Sequence, residues 1–268
     1  APGARISNSP PCGFSHLAPG CCAAYFRSDM TRISLLFLTL FLSACAAVAP
    51  APRLPQDTAG PLTETQIQRR ADAAARQFVA VVEQVEPVAE AECRKVRLRG
   101  PCDFQIVVDD RPGQAPNAFH TLDRQGRPII AFNLALILNV DNADELAFVM
   151  GHEAAHHIGG HIERAQRNAT LGSELFGRAA ATISGGDSGA IEAGLELGAA
   201  LGRRSFTKDF ELEADAIGTV IAHRAGFDPV RGAEFFARIP DPGNRFLGTH
   251  PPNSARIETV RRVARRLK

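Results

Sequence analysis

Residues 151–156 read Gly151-His152-Glu153-Ala154-Ala155-His156, and the rest of the chain is organised around them. On an α-helix, positions four apart differ by about 40° in azimuth, so His152 and His156 share a face and their imidazoles converge. Two imidazoles at that spacing suit zinc. Glu153, next round the helix, can take a proton from a water beside the ion without binding the ion itself. This is the H-E-x-x-H pattern of zinc hydrolases, which acquires that meaning only with a helix, a third ligand and a substrate site. The helix is legible. Asn142-Ala143-Asp144-Glu145 supplies an N-cap with a glutamate three residues on and two acidic side chains in the positive first turn, and Leu146, Val149 and Met150 lead into the histidines as an apolar stripe.

A catalytic zinc takes three protein ligands and keeps one position for water. His161 is the nearest tempting candidate, but on a helix that simply continued it would point about 180° away from His152, so it reads as a group behind the ligands or on the surface; His157 also faces elsewhere. Glu211-Leu212-Glu213-Ala214-Asp215 is a better source. Glu211 and Asp215 share a helix face that continues through Gly218 and Ala222, while Glu213 points the other way. Small residues on that face would let the helix pack closely on the histidine helix. Glu211 would then reach the metal, and Asp215 would orient a histidine by accepting its other N–H. The expected centre is one Zn2+ per chain on His152, His156 and Glu211, with Glu153 as general base.

The 268 residues carry a net charge of only +1, and the basic C-terminus (Arg261, Arg262, Arg265, Arg266, Lys268) comes without a recognition motif, so nucleic acid is not an expected partner. Residues 1–29 show no periodicity and read as a non-native leader. From Met30, a short basic region, the apolar run Ile33 to Leu42 and Leu42-Ser43-Ala44-Cys45 read as a lipoprotein signal peptide over 30–44, with Cys45 as the lipidated residue. An Ala- and Pro-rich tether (45–61) would hold the domain, 62–268, off an envelope membrane. Export suits the remaining cysteines: Cys93 and Cys102 are expected to form one disulfide.

Within the domain, helical spacing from Thr65 to about Ala91 precedes three short alternating runs at 104–108, 118–121 and 128–132. Asp123-Arg124-Gln125-Gly126 between the last two reads as a hairpin turn, so a small antiparallel sheet is expected ahead of the histidine helix. After His161 the chain reads as helices, broken at Gly185-Gly186-Asp187-Ser188-Gly189 and continued from Thr207 to Arg224, Pro229 to Arg238 and Asn253 onward. The fold class is α+β and mostly helical.

Taken together, His152-Glu153-x-x-His156, Glu211-x-x-Ala214-Asp215-x-x-Gly218 and Thr249-His250-Pro251-Pro252-x-x-x-Arg256 resemble the gluzincin zinc metallopeptidase family of CAAX prenyl proteases, HtpX and the BepA and LoiP type of periplasmic peptidases. The resemblance covers roughly residues 65–268 and implies a zincin-type domain of the lipoprotein branch. It also implies zinc on the three ligands above and His250 and Arg256 at the border of the site. With the one tyrosine, Tyr25, in the leader, His250 and Arg256 are the candidate donors to the oxyanion. His250 is alternatively a latch that occupies the open metal position at rest. Asn117, Ala118 and Phe119 fall where the family has an Asn-Ala-Phe strand, here without the Gly-Gly turn that follows it in the family. That strand is the expected substrate edge. The implied activity is endopeptidase action on unfolded or misassembled envelope proteins, in the periplasm and anchored to the outer membrane. The alternative is a chaperone-like binding lipoprotein whose metal site is silent, although such a site has no need of Glu153.

Overall fold

The computed structural model describes residues 62–97, 100–243 and 250–267. The expected leader, signal peptide, lipidated Cys45 and tether lie outside these residues.

Helix α1 (Glu64–Val96) starts in a reciprocal cap: Thr63 accepts from the Gln66 N–H while the Gln66 side chain accepts from the Thr63 N–H. Its residues Val81, Val85, Ala89 and Cys93 recur every four positions, and all four are buried. A disulfide joins Cys93, in the last turn of α1, to Cys102, just ahead of the first strand.

Strands β1 (Gln105–Asp109), β2 (Ala118–Leu122) and β3 (Pro128–Asn133) form one sheet in the order β1-β3-β2. The β2–β3 pair is an antiparallel hairpin, closed where Asp123 accepts from the N–H groups of Gln125 and Arg127 and Gly126 takes a positive φ of 81°. The expectation of a wholly antiparallel sheet needs correction, because β1 runs parallel to β3. The chain reverses between β1 and β2 and again between β2 and β3, so β1 and β3 point the same way. Once β1 docks on β3 instead of β2, a mixed sheet follows. Almost every side chain of β3 is buried, as a central strand requires, whereas β1 and β2 form the edges.

A short helix that the sequence reading did not separate, α2 (Leu134–Asn139), follows β3 directly and is capped by Asn133, whose side chain accepts from Leu136 N. Helix α3 (Ala143–Ile158) carries the two histidines, with Asn142 as its N-cap. The chain continues through α4 (His161–Ser184), α5 (Ser188–Arg204) and α6 (Thr207–Arg224). The expected helix from Pro229 to Arg238 is two short pieces, α7 (Pro229–Gly232) and α8 (Phe235–Arg238), before α9 (Asn253–Ala264). No helix among the described residues is long and apolar enough to cross a membrane.

One core is shared by α1, the sheet, α3 and α6: Val85, Ile130, Phe132, Leu146, Met150 and Ile221 belong to the same buried cluster. A second, smaller cluster of Phe148, Ala233, Phe236 and Val260 fastens α7, α8 and α9 to the opposite flank of α3. Helix α3 is therefore held from both sides.

Candidate metal centre

Two glycines set the distance between α3 and α6. A Cβ on Gly218 would lie 2.8 Å from the backbone nitrogen of His152, and one on Gly151 would lie 2.9 Å from the carbonyl oxygen of Gly218. Only bare backbone on both helices permits this approach. The close crossing brings a carboxylate from α6 within reach of imidazoles from α3.

At the crossing, His156 Nε2 is 3.1 Å from His152 Nε2 and 3.4 Å from Glu211 Oε1, and His152 Nε2 is 3.7 Å from Glu211 Oε2. A tetrahedral zinc with ligand bonds near 2.05 Å separates its donors by roughly 3.3 Å, so two imidazoles and one carboxylate fit such an ion. All three ligand atoms lie within 4.8 Å of one another, the only such group of three among the described residues.

Each histidine also has a partner at its rear nitrogen. Nδ1 of His152 is 2.9 Å from Asp215 Oδ1, and Asp215 is itself gripped by Arg256, with Nη2 at 2.7 Å from Oδ1 and Nε at 2.8 Å from Oδ2. The Arg256 guanidinium lies over the Phe236 ring, 3.8 Å from its centroid, and reaches Glu211 Oε2 at 3.6 Å. Nδ1 of His156 is 2.8 Å from Nδ1 of His161.

Charges at the centre are mutually compensating. Burial pushes the Glu211 carboxyl up, but hydrogen bonds with His156 and His250 and the charges of His152 and Arg256 outweigh it and hold the group far below the usual carboxylate range. Burial acts on Asp215 in the same direction and is likewise overcome, by the hydrogen bonds to Arg256 and His152. Both carboxylates are therefore ionised at neutral pH. His250 is half-exposed, with Nδ1 3.1 Å from Glu211 Oε2, and that hydrogen bond raises its pKa.

These groups open onto a cavity of about 850 Å3 lined by Glu153, His250 and Arg256, by the segment Ala115 to His120, and by apolar side chains including Phe148 and Phe210. Asn117, Ala118 and Phe119 thus lie on its wall. Arg256 is buried by its bidentate pairing, while His250 presents a more exposed ring.

Two placements differ in detail from the sequence reading. His161 does not point away from the site, because the helix does not continue: α3 ends at Ile158, Gly160 takes a left-handed φ of 61°, and α4 restarts at His161. The pair Gly159-Gly160 was the available signal. Glu145, read as a capping glutamate, does accept from Asp141 N at the helix start but is also fully buried in a two-pronged ion pair with Arg238 of α8. That pair fixes one wall of the cavity. Nothing in the spacing pointed to it.

Residues 72–264 match the model of peptidase family M48. The β-barrel assembly-enhancing protease of Yersinia pestis is 32% identical over 183 residues, 64% of this chain and 36% of that protein. Its counterpart in Escherichia coli K12 is 32% identical over 155 residues, 52% and 31% respectively. The mitochondrial metalloendopeptidase OMA1 of Saccharomyces cerevisiae is 31% identical over 167 residues, 59% and 46%. In each case the matched region spans less than half of the relative's length.

Proposed function

The chain belongs to peptidase family M48, and from that premise we propose that it is a zinc-dependent endopeptidase of the bacterial cell envelope that hydrolyses peptide bonds in unfolded or misassembled proteins. The meeting of His152, His156 and Glu211 at one point, with Glu153 beside them in an open cleft, carries this reading. When bound, the ion would polarise a peptide carbonyl and make a water a stronger acid. Glu153 takes the proton of the attacking water and returns it to the leaving amine. Asp215 and Arg256 hold the His152 ring in place. His250 donates to the carbonyl oxygen as that oxygen gains negative charge.

The ladder of the sheet supports a substrate edge on β2. Asn133 N donates to Asn117 O, and Phe119 stands opposite Ala131. Alternation along an antiparallel pair then commits Asn117, Phe119 and Thr121 to β3 and turns the N–H and C=O groups of Ala118 and His120 outward. Among the described residues no strand pairs with that outer edge. An extended substrate would add there as a further strand, through Ala118 and His120 in place of Asn117 and Phe119. Ala118→Pro, which deletes one outward donor at an edge position that tolerates proline, is expected to raise KM several-fold with kcat nearly unchanged. An unaltered KM would move the substrate off this edge.

The names of two relatives, β-barrel assembly-enhancing proteases, support proteins that take part in β-barrel assembly as the substrate class. Periplasmic placement and a lipid anchor at Cys45 belong to the same proposal. The direct test is cleavage of an unfolded outer-membrane protein by the full chain: it should stop on chelation and return with zinc, and cleavage indifferent to chelation would overturn the reading. In the same assay His250→Ala should lower kcat by about a hundred- to a thousand-fold, the usual loss for one oxyanion donor. A gain in activity would mark His250 as a latch instead.

A further inference from the structure

We propose that His161 is a positioning residue for the metal centre, the middle member of a chain Glu213–His161–His156 that fixes the orientation and tautomer of the His156 ring. The proposal rests on the metallopeptidase reading above.

The two histidines of α3 turn their Nε2 atoms toward each other and toward Glu211, so the rear nitrogen of each is free to be held from behind. For His152 that partner is a carboxylate, Asp215, locked by Arg256. For His156 it is another imidazole, with the two Nδ1 atoms 2.8 Å apart. One proton must lie between them. If Nε2 of His156 keeps its lone pair for the metal, His156 carries its proton on Nδ1 and donates it to Nδ1 of His161. The proton of His161 then sits on Nε2. That atom is buried without a hydrogen bond, and Glu213 Oε2, 3.4 Å away, is the carboxylate oxygen recorded beside it. Glu213 in turn pairs with Arg164 at 2.6 Å.

The surroundings hold His161 in this pose. Its ring stacks on Phe210, with centroids 4.7 Å apart and planes 11° from parallel, and the Arg164 guanidinium lies 4.3 Å from the same phenylalanine. A Cβ on Gly159 would lie 2.5 Å from Nε2 of His161 and 2.9 Å from its Cδ2. The space occupied by the imidazole exists because residue 159 has no side chain. The break between α3 and α4 therefore delivers a ring to the back of a metal ligand.

Two variants test this. His161→Phe keeps a flat ring to stack on Phe210 but leaves the His156 N–H without an acceptor. Gly159→Ala leaves every functional group in place and pushes the His161 ring aside, at a backbone φ of −73° that alanine adopts freely. Zinc affinity of the full chain is measured by competition with a chelator of known affinity, alongside the melting temperature of the metal-free protein. Both variants should bind zinc about 10- to 100-fold more weakly than wild type, the usual loss when the partner of a ligating histidine is removed. Their metal-free melting temperatures should stay close to that of wild type, and His161→Gln, which restores an acceptor, should recover part of the affinity. Wild-type zinc affinity in His161→Phe and in Gly159→Ala would overturn the proposal. So would weakened affinity that only tracks a lowered metal-free melting temperature. A wild-type chain that binds no zinc would instead overturn the metallopeptidase reading beneath it.

Discussion

Glu153→Gln lowers kcat on an unfolded protein substrate by about a hundred- to ten-thousand-fold and leaves metal content and KM close to those of wild type. The substitution keeps the size and hydrogen-bonding reach of the side chain and removes only its capacity to take a proton. Glu153 lines the cavity beside His152 and His156 but is not one of the three groups that meet at the metal position, so its loss should not release the ion. The same variant separates the peptidase from a chaperone-like binder. Equal protection of an unfolded client by both proteins, with cleavage in neither, would favour the binder.

Asp215→Ala should cost about 3–5 kcal/mol of stability, the penalty for leaving a buried charge unpaired. Asp215 is fully buried and accepts from both Nε and Nη2 of Arg256, a guanidinium that burial and the Phe236 ring keep from solvent. Without it, the closest remaining anion recorded for Arg256 is Glu211, at 3.6 Å. For a domain of this size the melting temperature should fall by about 6–20 °C. Asp215→Ala combined with Arg256→Met removes both charges and should recover much of that loss. Zinc affinity should stay about 10- to 100-fold weakened in the double variant, because His152 still lacks the acceptor for its Nδ1 proton. If the double variant were no more stable than the single one, the buried-charge account would be wrong.

The parts of this molecule that depend on local rules could be read from the chain. The N-cap at Asn142, the break at Gly185-Gly186, the start of α6 at Thr207 and the small-residue face that carries Gly218 each follow from a few neighbouring residues, and each has its counterpart in the structure. The choice of strand neighbours was not local. Whether β1 docks on β2 or on β3 depends on which edge the rest of the core leaves open, and alternation within a five-residue strand carries no information about that. Helical geometry misled at His161 because it assumed that α3 continued, while Gly159-Gly160 ends one helix and re-aims the next. Long-range ion pairs such as Glu145 with Arg238 were beyond sequence reasoning for a similar reason: a glutamate in a first helical turn already has an adequate local explanation.

The central claim is that imidazoles from α3 and a carboxylate from α6 hold one metal ion. The most direct measurement is the metal content of the purified full chain beside that of Glu211→Ala. The account predicts about one zinc per wild-type chain, as a three-ligand site demands, and a small fraction of that in the variant after dialysis against a mild chelator. A wild-type chain with no transition metal, or a variant that retains zinc as firmly as wild type, would contradict it.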